Sequence, residues 1–129
     1  VVILAGTNDI AGNTGPSNVK MITDNIFSMA TIATAHGIQV VLSSVLPVYM
    51  YEWSPEIIDP PSTIDAVNER LKEHAESNGI EYLDYFSEMV DVRKGLKKEY
   101  TPDGVHPNEK GYKLMSTIAE KKLESILDL

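Results

Sequence analysis

Two apolar runs near residues 1–5 and 39–45, and a short segment at 80–84, alternate with longer stretches whose apolar positions recur every three or four residues. That pattern predicts the order β-α-β-α-β-(short α)-loop-α. Val1-Val2-Ile3-Leu4-Ala5 is apolar throughout and stops at Gly6, as a strand buried on both faces does. After a loop over residues 6–16, Ser17 is placed to cap a helix striped by Val19, Ile22, Ile26, Met29 and Ala33, and Gly37 closes it. Residues 39–45 read as a second strand. The loop 47–61 follows, with Tyr49, Tyr51 and Trp53 set among prolines. A loop of about 15 residues inside a domain is uncommon and often functional. Ser62 and Asp65 mark the next helix start, with Ile64, Val67, Leu71 and Ala75 inward and Gly79 at its end. Residues 80–84 form the third strand, residues 85–90 a single helical turn, and Asn108 caps a last helix striped by Tyr112, Met115, Ala119, Leu123 and Ile126.

Such an alternation implies a parallel sheet with right-handed crossovers and helices on both faces. Sites in these sheets form at the carboxyl ends of the strands. Asn8 follows the first strand, the aromatic loop the second, and the segment 101–108 comes after the third, so all three are expected at one rim.

A chain of 129 residues supports one core, so residues 1–129 are read as a single domain. The excess of 19 acidic over 11 basic residues, net charge -8, disfavours nucleic acid and anionic membrane as partners. Lys94, Lys97 and Lys98, like Lys121 and Lys122, are interleaved with acids and read as solvated faces. No apolar run approaches the roughly 20 residues of a membrane span. Without cysteine, disulfides and thiolate chemistry are excluded. A start inside an apolar strand, with neither Met nor a targeting segment before it, predicts the downstream part of a longer polypeptide, hence a truncated domain.

Chemistry concentrates in two places. In Thr101-Pro102-Asp103-Gly104-Val105-His106-Pro107-Asn108, Asp103 can orient the imidazole of His106 as a general base, with Gly104 permitting the tight turn. The plainer alternative is a turn Asp and a His that only precedes a helix. As metal ligands the two lack a third partner at recognisable spacing, and no metal site is predicted. In Gly6-Thr7-Asn8-Asp9, Asn8 can offer its amide to a developing oxyanion, a donor worth roughly 3 kcal/mol when well aimed. It can equally be a turn residue. Asp9 is expected to brace the loop by accepting backbone N–H groups. His36 and His74 are read as surface residues. Tyr49, Tyr51 and Trp53 either line a substrate cleft or pin the long loop. Gly6, Gly12 and Gly15 lack the spacing of a dinucleotide-binding fingerprint.

Taken together, Gly6-Thr7-Asn8-Asp9 and Asp103-Gly104-Val105-His106-Pro107, followed by Asn108-x-x-Gly111-Tyr112, resemble signature blocks of the SGNH hydrolases, the GDSL-type esterases and lipases. The resemblance implies a three-layer α/β/α domain with a parallel sheet in flavodoxin-like order, of which this chain holds about three strands. It implies acyl transfer by Ser, His and Asp without metal or organic cofactor. Asn8 then matches the oxyanion Asn, His106 the base, Asp103 its partner and Gly6 the loop glycine. The Gly-Asp-Ser block is missing, and neither Ser17 nor Ser43 and Ser44 stands at the nucleophile position.

The expectation is therefore a serine esterase acting on acyl or acetyl esters of lipid or carbohydrate, inactive as this chain alone because the nucleophile lies outside it. One alternative is a non-catalytic α/β module that binds through an exposed strand edge; another is a metal-assisted hydrolase. The strand at residues 1–5 is central in such a family. Here it becomes an edge to be covered by the N-terminal part of the same protein, a second copy or a swapped element, and left bare it invites disorder or aggregation. The family is often exported, so a secreted or extracytoplasmic setting is the corresponding expectation.

Overall fold

Val41 and Leu42 are neighbours that face opposite ways, and the two cores of the molecule grow from them. The computed structural model describes residues 1–128. Its strands β1 (Val2–Ile3), β2 (Val41–Ser43) and β3 (Glu81–Leu83) form one parallel sheet in the order β1-β2-β3. Val2 pairs with Val41, and Leu42 with both Ile3 and Tyr82. The strands are shorter than the apolar runs, although Val41 N–H to the Val1 carbonyl and Ser44 N–H to the Leu83 carbonyl continue the ladder beyond them.

Strands wound in sequential order with right-handed crossovers put consecutive helices on the same face. Accordingly α2 (Val19–Ala35) and α3 (Pro60–Asn78) pack on each other and on Leu42 through Ile22, Ile26, Ile64, Val67 and Leu71. On the opposite face α5 (Glu109–Leu127) lays Met115 against Val41, Leu83 and Met89. The three-layer α/β/α architecture follows.

Local chemistry moves several boundaries. Asn18, not Ser17, caps α2 by accepting from Met21 N–H, while the Ser17 hydroxyl donates to the Asp9 carbonyl. Helix α3 starts at Pro60 rather than Ser62. Asp59 caps it, and the two prolines occupy a first turn whose N–H groups have no intrahelical partner anyway. Two residues expected inward face out: Met29 is 42% and Tyr112 58% exposed. On α2 the inner row is Ile22, Thr23, Ile26 and Ala30. On α5 the inner position falls to Gly111, where a Cβ would lie 2.5 Å from the Tyr100 carbonyl oxygen. His36 is exposed at the end of α2, whereas His74 is half-buried and stacks on Phe27 with ring centroids 3.7 Å apart. Burial lowers its pKa.

Three one-turn elements complete the chain: α1 (Thr7–Ile10), α4 (Phe86–Met89) and a 3-10 turn at Lys98–Tyr100. Buried Asn68 on α3 pairs with the backbone of Val45 as a strand would, accepting from its N–H at 2.7 Å and donating to its carbonyl at 3.1 Å. It thereby fixes the exit of β2 toward the aromatic loop. The outer edge of β1 is unpaired among the described residues, and Val1, Val2 and Leu4 beside it are 58%, 36% and 43% exposed. No helix among the described residues is long and apolar enough to cross a membrane.

Candidate active site

The chain leaves β1 through Gly6, whose φ of 120° lies in the region that suits glycine. A Cβ there would press on Ile22 and Val45 at 3.3 and 3.4 Å, so the backbone descends close to the core before α1 turns it outward. Asn8 in α1 is exposed, and its Oδ1 accepts from Asn13 Nδ2 at 3.0 Å. That bond occupies the acceptor end of the amide and leaves Nδ2, the donor end, free to serve the rim that Asn8 lines. Nothing in the sequence reading singled out Asn13; its partnership needs the turn of α1 to bring it round. Asp9 braces the same loop differently from expectation. Its carboxylate accepts the Thr14 hydroxyl at 2.7 Å rather than backbone N–H groups, and its carbonyl takes Gly12 N–H and the Ser17 hydroxyl.

The 101–108 loop is tied by its own side chains. Asp103 Oδ1 accepts from Val105 N–H at 2.9 Å and His106 N–H at 2.8 Å, while Oδ2 meets His106 Nδ1 at 2.6 Å. The backbone N–H of His106 contributes most to holding the Asp103 carboxyl well below the usual carboxylate range, joined by the ring of His106 and the N–H of Val105. An ionised Asp103 fixes Nδ1 as the protonated nitrogen and leaves Nε2 as the one with a free lone pair. Thr101 wraps the loop from the other side: its hydroxyl donates to the His106 carbonyl at 2.7 Å and accepts from Gly104 N–H at 2.9 Å. Downstream, Asn108 caps α5 and also donates to the Glu99 carbonyl, stapling the loop to the 3-10 turn.

The aromatic loop divides its three rings. Tyr51 is buried, and its hydroxyl meets Thr7 Oγ1 at 2.8 Å, next door to Asn8. Burial raises its pKa, against the opposing effect of the Thr7 bond. Trp53 sits edge-on to Tyr51, ring centroids 5.5 Å apart, and lies near-parallel to the imidazole of His106 at 6.1 Å and 29°. Tyr49 goes elsewhere: Arg93 covers its ring at 4.6 Å and Gly95 packs against its Cβ.

Asn8, Tyr51, Trp53 and His106 line one cavity of about 230 Å³, floored by Ala5, Val45 and Met115, with Tyr112 at its side. Asp103 stands behind His106 and Tyr49 lies outside, both on a separate small cleft. The structure thus brings an amide donor and a carboxylate-braced imidazole to one apolar hollow at the carboxyl rim of the sheet. No serine lines it. The buried pair at the end of β2 is committed elsewhere: Ser44 Oγ accepts from Tyr85 and Phe86 N–H, and Ser43 donates to the Ser44 carbonyl. Among the described residues no three His, Asp or Glu side chains group as metal ligands.

Known structures share this fold. A protein of Bacteroides fragilis NCTC 9343 assigned as an acylhydrolase is 42% identical and superposes with a TM-score of 0.95, over 98% of this chain and 62% of its own. A GDSL-like lipase from Bacteroides thetaiotaomicron VPI-5482 is also 42% identical, with a TM-score of 0.94 over 98% of this chain and 62% of its own. A protein from Streptococcus pneumonia assigned as a platelet activating factor is 28% identical, with a TM-score of 0.78 over 95% of this chain and 58% of its own. The chain therefore spans 62% of the length of the two Bacteroides proteins. No curated protein matches the sequence. The model of the GDSL-like lipase/acylhydrolase family matches residues 1–114, and the chain belongs to that family.

Proposed function

We propose that this chain supplies the base and the oxyanion donor of a serine esterase that cleaves acyl or acetyl esters. One observation carries the reading: Asn8 and the Asp103-braced His106 line the same hollow. The hydroxyl that gives its proton to His106 Nε2 belongs to a serine outside these 129 residues, since none of the described residues lining the cavity is a serine. As that Oγ bonds to the ester carbonyl carbon, its proton passes to His106, and Asp103 stabilises the imidazolium. The carbonyl oxygen gathers negative charge and takes a hydrogen bond from Asn8 Nδ2. His106 then protonates the departing alcohol as the carbon–oxygen bond breaks. Water, deprotonated by the same imidazole, releases the acid and restores the serine. Acyl transfer of this kind calls for no metal or organic cofactor.

A polypeptide carrying this chain and an upstream Gly-Asp-Ser segment is expected to hydrolyse p-nitrophenyl acetate. His106→Ala should lower kcat by about a thousandfold or more and Asn8→Ala by about a hundredfold. The 129 residues alone should be close to inactive; turnover by them that is lost in His106→Ala would overturn the placement of the nucleophile. The bare apolar edge of β1 favours a second reading, a module that binds through that edge. An upstream sequence without a Gly-Asp-Ser segment would favour it, and a self-associating 129-residue chain would point to a second copy as the edge's cover.

A further inference from the structure

Resting on the esterase reading, we propose that Trp53 is the platform for the alcohol half of the ester, and that this alcohol is a pyranose ring. The argument begins with the proton. His106 must return it to the departing alcohol oxygen, so whatever flanks the imidazole touches the alcohol and not the acyl group. Trp53 flanks it, near-parallel at 6.1 Å, and remains 49% exposed. Tyr51 supports it from behind, edge-on at 5.5 Å, and is itself tied to Thr7. The indole is thus held in place and open, as a stacking surface needs to be.

The surroundings select the alcohol's chemistry. Half-exposed Tyr112 places a hydroxyl at the same hollow, so an apolar flat face is combined with a polar neighbour. A pyranose has both, an axial C–H face and equatorial hydroxyls; a long alkyl alcohol has only the first.

The test compares three acetates in the serine-bearing polypeptide: an acetylated methyl xylopyranoside, ethyl acetate and decyl acetate. Trp53→Ala is expected to lower kcat/KM for the pyranoside about tenfold relative to ethyl acetate, chiefly through KM, and Trp53→Phe to recover part of it. Equal losses on all three esters would reduce Trp53 to a support for His106 and overturn the platform. A loss on decyl acetate as large as on the pyranoside would overturn the sugar assignment. If no ester is turned over, the esterase reading fails, yet the platform is still decided by binding. Taken as the difference from Trp53→Phe, the emission of Trp53 should change saturably with methyl xylopyranoside, and a flat titration overturns the proposal.

Discussion

The two loops that build the rim, 101–108 and 47–59, are held by opposite means. The first is tied over short sequence distances: Asp103 and Thr101 make all their bonds within five residues. The second is tied over long ones. Tyr51 bonds Thr7 across 44 residues, Tyr49 packs under Arg93, and Trp53 lies against His106. A loop that carries its own fastenings keeps the imidazole aligned whatever approaches it. A loop fastened to distant parts can register changes in them, which suits a surface that meets varied substrates.

Asp103→Asn attacks the self-held loop at its centre and should have the largest effect. The neutral amide can no longer favour the imidazolium and can hold the ring in the wrong tautomer. In the serine-bearing polypeptide kcat for p-nitrophenyl acetate should fall on the order of 10⁴-fold with KM little changed. The pH dependence has a definite sign. Because the carboxyl is held below its ordinary value, its ionised form contributes stability above the unfolded carboxylate pKa of about 3.9. That contribution fades as pH falls below this value toward the folded-state one. Acid unfolding followed by circular dichroism should lose this component in Asp103→Asn. An unchanged acid limb would mean that Asp103 is not the loop's fastening.

Thr101→Val tests the same loop one bond further out. It strips the partner from Gly104 N–H and from the His106 carbonyl at a site that water can reach, so the loss of stability should be about 1 kcal/mol in urea unfolding. Turnover should drop about tenfold in kcat, a fold-change equivalent to about 1.4 kcal/mol, and Thr101→Ser should restore it. Trp53 emission should stay as in the parent. If it shifts, the two loops are coupled more tightly than their bonds suggest.

The same contrast explains what the sequence could reveal. Asp103, His106 and the cap at Asn108 were legible because their partners lie three residues away. Helices and strands were legible where a period ran through several turns, as at Ile64, Val67, Leu71 and Ala75, all buried. One-turn elements such as α1 and the turn at Lys98–Tyr100 leave no period to read. Prolines 60 and 61 read as loop although the cue was local: Asp59 caps through Ser62 three residues on, and prolines suit a first helical turn. No local pattern could show that Asn68 pairs with Val45, or which two of the three rings line the cavity. Those are tertiary facts, fixed by the arrangement of distant elements.

Tyr51→Phe is the gentlest of these changes and the one that isolates long-range fastening. The ring still fills its buried place, so packing is kept and only the bond to Thr7 Oγ1 is lost. A single such bond is worth about 1 kcal/mol, and Thr7 is partly exposed, so its hydroxyl can turn to water. Stability should fall by no more than that. What should move is Trp53, which rests edge-on against Tyr51, and its emission reports on that contact directly. The Asp103–His106 bond should stay, visible as an unchanged downfield Nδ1 proton resonance. Movement of the indole without movement of the imidazole would separate the two kinds of loop. An indole that stays still would show that packing alone, without the hydroxyl, holds the aromatic loop.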